Sequence, residues 1–246
     1  MSKKRLDLLA LERFTDLTRR EIQSFIIQRK VKVDGKIVDK AGTLIKEESK
    51  IEVDAEKPKY VSRAGFKLEH ALKYFNFDVT GLVVLDAGIS TGGFTDCLLQ
   101  AGAKKIYGVD VGIGQVHEKI RNDKRVILLE KTNLRHLEFL PEKVDLVTLD
   151  LSFISILKVM PAISKLVKSD STIITLIKPQ FEAERKDIRR GGVVKDESVY
   201  ERVIEKLKEG MKEFDFNFVG ITESPVRGAK SGNLEFLALW KNFKTS

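Results

Sequence analysis

Four ionisable residues stand where an α/β chain could use them to hold or move a proton: Lys67, Asp150, Lys178 and Glu235. Asp150 ends the apolar run Val144–Leu149, and Lys178 ends the run Ile173–Ile177. The carboxyl ends of strands line the ligand crevice of an open parallel sheet, so both should face one site. A lysine at the end of an apolar strand is costly unless it is paired or used. Lys67, in the stretch Ser62-Arg63-Ala64-Gly65-Phe66-Lys67-Leu68, marks the entrance to the same region, and Glu235 opens the last apolar strand, Leu234–Trp240. Singly, each is better explained as a surface ion pair or a lysine stretching its stem over apolar surface. The four together call for another account, because amines beside carboxylates can carry general acid–base chemistry.

A second constellation lies at the first strand. Leu82–Leu85 reads as buried, and it runs into Asp86-Ala87-Gly88-Ile89-Ser90-Thr91-Gly92-Gly93-Phe94, followed by a helix over Thr95–Gln100. Glycines at such a turn let the backbone turn sharply and approach a ligand closely. The spacing is neither that of a phosphate-binding P-loop nor the dinucleotide pattern G-x-G-x-x-G. Asp110, 22 residues beyond Gly88 and followed by Val111, ends the next strand. In a Rossmann-like fold a carboxylate there hydrogen-bonds a ribose diol. A ligand with adenosine and no pyrophosphate fits best, and S-adenosylmethionine (SAM) is the leading candidate. Candidate cofactor contacts are Asp86, Gly88, Ser90, Gly92, Gly93, Phe94, Asp110, Val111 and Asp150, with Asn133 reaching the adenine edge from a segment that reads equally well as a plain loop. The alternative is a turn that serves packing only.

These residues need a sheet to carry them. From about Ser62 a helix (Ala64–Phe75) is followed by short β-rich runs alternating with helical stretches: VVLDAG, KIYGVDVG, VILLEKTN, VDLVTLDLSF, TIITLIKP, FVGITES and LEFLALW. That alternation predicts a parallel α/β sheet with helices on both faces. Ahead of it stands a small α+β unit. It has a short amphipathic helix over Leu6–Phe14 and a second helix capped by Thr18, with Glu21 completing a capping box. Two short runs flank Asp34-Gly35, a strong hairpin signal, and a further strand covers Lys50–Val53. The polar, proline-bearing stretch at about 55–62 reads as a linker, giving domains over 1–58 and 59–246.

The chain has 246 residues, 44 Lys+Arg against 36 Asp+Glu, and 42% apolar residues, an ordinary globular composition. A net charge of +8 admits nucleic acid as a partner without requiring it. The charge is uneven: the first 32 residues carry a net +5 and residues 33–58 a net −2. The single cysteine, Cys97, excludes a disulfide framework and suits a reducing compartment. With three histidines besides, no metal site is expected. No apolar run reaches the roughly 18 residues of a membrane helix, and Asp7 and Glu12 break the N-terminal apolar stretch, against a secretory signal.

Lys67, Asp150, Lys178 and Glu235 resemble, in order and context, the catalytic K-D-K-E tetrad of the FtsJ/RrmJ-type ribose 2′-O-methyltransferases. The blocks SRAGFKL, LDAGISTGGFTD, VTLDLSF, LIKPQFE and GNLEFLALW are similar to one branch, the TlyA-type rRNA methyltransferases, whose members are often labelled hemolysins. The resemblance spans about residues 5–243. The N-terminal unit, with its RLD start and R-K-V-x-V-D-G turn, resembles the αL RNA-binding module named after ribosomal protein S-four. Where the family linker often reads R-x-W-V, this chain has Lys59-Tyr60-Val61.

The resemblance implies a Rossmann-like, SAM-dependent methyltransferase domain with a mostly parallel seven-stranded sheet. The implied reaction is cytoplasmic transfer of a methyl to a ribose 2′-oxygen of ribosomal RNA or a ribosomal subunit, at a cytidine, most of all in the large subunit. Lys178 would take the hydroxyl proton or stabilise the alkoxide, Asp150 would orient Lys178, and Glu235 would position Lys67 or the hydroxyl. A lysine acting as base near pH 7 needs its pKa lowered by about three units. Arg5, Arg19, Arg20, Arg29, Lys30, Lys32 and Arg63 would contact RNA phosphates, and Arg185, Lys186, Arg189 and Arg190 could extend that surface. Base methylation by the same cofactor and a membrane-active hemolysin are the competing functions.

Overall fold

The hairpin and the capping box expected from local sequence are both present in the computed structural model, which describes residues 2–54, 58–194, 196–228 and 232–242. Asp34 and Gly35 take φ of 49° and 78°, the pair of positive values a type I′ turn requires. They join β2 (Val31–Val33) to β3 (Lys36–Ile37). Thr18 Oγ1 accepts from the Glu21 amide, and Glu21 Oε2 accepts from the Thr18 amide at 2.7 Å. This box starts α2 (Arg19–Ile27), which buries Ile22, Phe25 and Ile26 against α1 (Leu6–Arg13). β5 (Ile51–Val53) pairs with β2. Two three-residue strands, β1 (Lys3–Arg5) and β4 (Leu44–Lys46), form a separate antiparallel pair that the sequence pattern did not reveal.

The chain divides into two compact units, Met1–Pro58 and Lys59–Ser246. Residues 55–57, the start of the expected linker, lie outside the described residues.

The second unit opens with α3 (Ala64–Tyr74), β6 (Val83–Ala87), α4 (Gly93–Gln100), β7 (Lys105–Val109), α5 (Glu118–Arg121) and β8 (Val126–Leu129). It continues with β9 (Val144–Leu149), α6 (Met160–Leu166), β10 (Val167–Ile177), α7 (Pro179–Glu182), α8 (Glu197–Lys212), β11 (Phe216–Glu223) and β12 (Phe236–Asn242). The sheet order is β11-β12-β10-β9-β6-β7-β8. The pairings β10–β9, β9–β6, β6–β7 and β7–β8 are parallel, and β12 is inserted antiparallel between β10 and β11.

Side chains alternate across this sheet, as strand geometry demands. Val83, Leu85, Val147, Leu149, Ile173 and Trp240 join one core with Met160 and Ile163 of α6 and Val203 and Leu207 of α8. Val84, Leu146, Ile174 and Leu239 join the other with Leu68 and Ala71 of α3 and Cys97 and Leu98 of α4. Helices therefore cover both faces. The chain fills one half of the sheet from β6 outward, then returns to place β9 on the other side of β6, so the topological switch lies between β6 and β9. Two boundaries beside the glycine turn and Glu235 differ from expectation. Gly92, at φ 94°, starts α4 at Gly93 instead of Thr95. β12 begins at Phe236, so Glu235 precedes the strand.

Candidate active site

At the switch point the carboxyl ends of β6 and β9 nearly touch. Gly88 follows β6 with φ 86°, and a Cβ on it would lie 2.6 Å from the backbone oxygen of Asp150. Any side chain there would drive the strand ends apart. Asp150 in turn donates its amide to Ala87 at 3.1 Å. Beside this contact opens a cavity of about 440 Å³, lined by Gly88, Ser90, Asp110, Val111, Asn133 and Asp150, together with Gln115, Thr132 and the segment Leu151–Ile154. Asp110 is fixed at the end of β7: its Oδ2 accepts from the Ser90 amide and its Oδ1 from the Gly112 amide, both at 2.8 Å. Asn133 caps the short turn at Leu134 by accepting from the Arg135 amide.

Four expected cofactor contacts do not line the cavity. Asp86 is fully buried beneath the glycine turn and accepts hydroxyl bonds from Thr95 at 2.6 Å and Thr148 at 2.8 Å. Burial pushes its carboxyl up to about 6, against the pull of those bonds. Gly92 faces Ile120, and Gly93 packs on Ser62 and Ala64. Phe94 belongs to the core under α4. They support the turn from below: Asp86 lies in β6, buried along its whole length, and Gly92–Phe94 form the buried start of α4.

The four ionisable residues form two ion pairs. Lys178 Nζ lies 2.5 Å from Asp150 Oδ1 and donates to Ser152 Oγ at 3.1 Å. Lys67 Nζ lies 2.5 Å from Glu235 Oε2. Lys67, Lys178 and Glu235 are buried, while Asp150 keeps 19% of its side chain exposed toward the cavity. Asp150 therefore belongs both to the cavity wall and to the Lys178 pair. Lys67 projects from the buried side of α3, next to Leu68. Tyr60, in the altered linker, is buried against Gly65 of the same helix, and Lys59 pairs with Glu69 at 2.6 Å.

The basic candidates of the first unit differ in how free they are. Arg5 and Arg19 both donate to Asp7, a fully buried carboxylate that also accepts from Gln23. The Arg5 guanidinium, above all, holds Asp7 down at about 2. Arg20, Arg29 and Lys32 are exposed and Lys30 is half-buried. In the second unit Arg63 is exposed at the start of α3, as are Arg185, Lys186, Arg189 and Arg190, with Lys186 paired to Glu184 at 2.7 Å.

Sequence reasoning missed Ser152, Glu182 and Asn233. Ser152 sits two residues after Asp150, so its signal was in the block already singled out. Asn233 clamps Gly192 and Val194 through its amide, two residues before Glu235. Among the described residues no helix is long and apolar enough to cross a membrane.

The FtsJ-like methyltransferase model matches residues 60–241, and the S4 domain model residues 4–51. Hemolysin A of Brachyspira hyodysenteriae is 43% identical over 224 residues, covering 90% of this chain and 92% of its own length. The 16S/23S rRNA (cytidine-2′-O)-methyltransferase TlyA of Mycobacterium tuberculosis is 39% identical, covering 98% and 90%. A solved structure described as a hemolysin from Streptococcus thermophilus is 37% identical, with a TM-score of 0.76, covering 100% of this chain and 90% of its own.

Proposed function

Because the chain belongs to the FtsJ-like methyltransferase family and carries an S4 domain ahead of it, we propose that it transfers a methyl group from SAM to the 2′-oxygen of a cytidine in ribosomal RNA. Large-subunit RNA is the expected substrate; it is one of the two RNAs in the name of the Mycobacterium relative. The reaction would take place in the cytoplasm. The observation that carries this reading is the double membership of Asp150, which walls the cavity and holds Lys178 at 2.5 Å.

The cavity suits SAM on its own chemistry. Its volume is in the range of small-ligand sites. Asp110 at the end of β7 presents a carboxylate fitted to a ribose diol, and Ser90 and Asn133 add polar groups on the same wall. The bare backbone at Gly88 leaves room for close approach. When bound, SAM supplies a methyl made electrophilic by its sulfonium.

The protein's own task is the nucleophile, because a ribose hydroxyl is a weak acid and a weak nucleophile. Once its ammonium has passed a proton to solvent, Lys178 Nζ would accept the hydroxyl proton; as an ammonium it would instead steady the negative oxygen while that proton passes to water. Asp150 and Ser152 fix the position of Nζ, which supports a role for it as a positioned proton-handling group. Glu235 holds Lys67 as a second oriented cation. Arg20, Arg29, Lys30 and Lys32 would draw RNA phosphates to the S4 unit, with Arg63 doing so at the entrance to the catalytic unit.

The test is methyl transfer to purified ribosomal subunits, with the product mapped by mass spectrometry. A 2′-O-methylcytidine, and loss of transfer when the target carries a 2′-deoxyribose, support the reading. Methylation that survives the 2′-deoxy substitution would instead identify a base methyltransferase.

A further inference from the structure

Glu182 is a buried acid that the mechanism above does not use. It lies four residues after Lys178, at the end of α7, with only 4% of its surface exposed. Among the described residues its carboxylate bonds Ser155 Oγ at 2.6 Å and the Ile156 amide at 2.7 Å. Burial raises its carboxyl above the ordinary glutamate range. Its two carboxylate donors are neutral, and the Lys206 ammonium, which bonds the Glu182 backbone oxygen at 2.8 Å, offsets only part of the burial, since the carboxyl is still raised. A buried carboxylate held this way is an expensive way to stabilise a fold, so its placement calls for a reason.

The two bonds reach across to the segment that leaves β9. That segment starts at Asp150, tied to Ala87, and ends at Ile156, tied to Glu182. Between these anchors lie Leu151, Ser152, Phe153 and Ile154, all of which line the cavity. Phe153 takes a left-handed φ of 65°, a strained conformation for an aromatic residue that its surroundings must hold. Its ring lies 5.0 Å from that of Phe181. On the other side, Phe181 donates its amide to Lys178 and Ala183 donates to Pro179, so Lys178 and Glu182 ride on one hydrogen-bonded turn.

We propose that Glu182 is a positioning residue: with Ser155 and Ile156 it forms the far end of a clasp that holds the cavity wall Leu151–Ile154 against the turn carrying Lys178. The near end is the Asp150–Lys178–Ser152 contact. Without Glu182 the far end keeps only the burial of Ile156 and the turn bonds of Ser155 and Ile156 to Lys158 and Val159, and Ser152 is held less firmly beside Lys178 Nζ. This inference rests on the reading of the cavity as the SAM site and of Lys178 as the proton-handling group.

The test compares Glu182→Ala, Glu182→Gln and Ser155→Ala with the wild-type chain. Three readouts are needed: SAM affinity by calorimetry, steady-state kinetics on ribosomal subunits, and amide exchange over residues 151–156. In Glu182→Ala, SAM should bind more weakly, kcat should fall on the order of a hundredfold as misplacement of a reacting group predicts, KM for RNA should hold, and exchange at Ile156 should quicken. Glu182→Gln should restore all three, because its amide oxygen accepts from Ile156 and its amide nitrogen can donate to Ser155. Wild-type affinity, kcat and exchange in Glu182→Ala would overturn the proposal. If that variant does not fold, Ser155→Ala decides: partial losses support the clasp and wild-type values refute it. Faster exchange in a chain whose wild-type form neither binds SAM nor methylates RNA would leave the clasp standing and sink the functional reading.

Discussion

Replacing Glu235 by leucine strands the Lys67 ammonium in a place where water hardly reaches. The two side chains are 10% and 4% exposed and lie 2.5 Å apart. Removing one partner of a buried pair costs about 3–5 kcal/mol, because the remaining charge is left without compensation. In a unit the size of Lys59–Ser246, each kcal/mol moves the melting temperature by about 2–4 °C. Glu235→Leu should therefore melt about 6–20 °C below wild type in calorimetric or circular-dichroism scans. The double variant Lys67→Met/Glu235→Leu removes both charges, and replacing a whole buried pair by apolar groups is often neutral or stabilising. It should recover most of the lost stability. Methyl transfer should stay lost in both variants, since recovering the fold does not bring back the oriented cation. A single variant that melts with wild type would refute the burial argument. A double variant that regains activity would remove this pair from the chemistry.

Lys178→Ala should lower methyl transfer by about 10²–10⁴-fold, the usual worth of a positioned general base. Calorimetry should still find SAM bound, weakened no more than in Glu182→Ala, because Lys178 does not itself line the cavity and its loss frees only one end of the wall. Arg20→Ala should reduce the salt slope of RNA affinity by about one unit; Arg5→Ala, which unseats a partner of Asp7, should lower stability more than it changes that slope. Asp7 is held at about 2 against an ordinary 3.8, so its stabilisation is complete above the unfolded value and disappears as pH falls through about 2. That gives about 2 kcal/mol at neutral pH, readable as the difference between urea melts of wild type and Asp7→Asn from pH 5 downward.

What was legible in the sequence was local chemistry. Asp34-Gly35 dictates its turn because both residues tolerate positive φ, and Thr18 and Glu21 cap a helix within one turn of chain. The apolar runs ending in Asp150 and Lys178 also announced themselves, since charge at the end of a buried strand is rare without a use. The pairing of β1 with β4 was illegible: two three-residue strands far apart in the chain, with Lys3 opposite Lys46, carry no pattern of their own. Asp86 shows the other limit. It sits in the glycine-turn motif like Gly88, yet strand register turns it inward to Thr95 and Thr148. Glu182 and Asn233 matter through partners 26 and 39 residues away, and only the fold brings those together.

The direction of β12 explains why Glu235 can join the site at all. The residues that follow β6, β9 and β10 gather at the sheet's carboxyl edge because those strands are parallel. Glu235 precedes its strand, and before a seventh parallel strand it would lie at the opposite edge. With a rise of about 3.3 Å per residue, the seven residues of β12 would carry it about 20 Å from Lys178. Antiparallel insertion reverses this. Ile177 pairs with Phe236, so the residue after one and the residue before the other, Lys178 and Glu235, emerge side by side. Lys67 then reaches the edge from α3 to pair with Glu235. The antiparallel strand is therefore a requirement of the site, since it delivers a carboxylate from the start of one strand to lysines set by the end of another and by a helix.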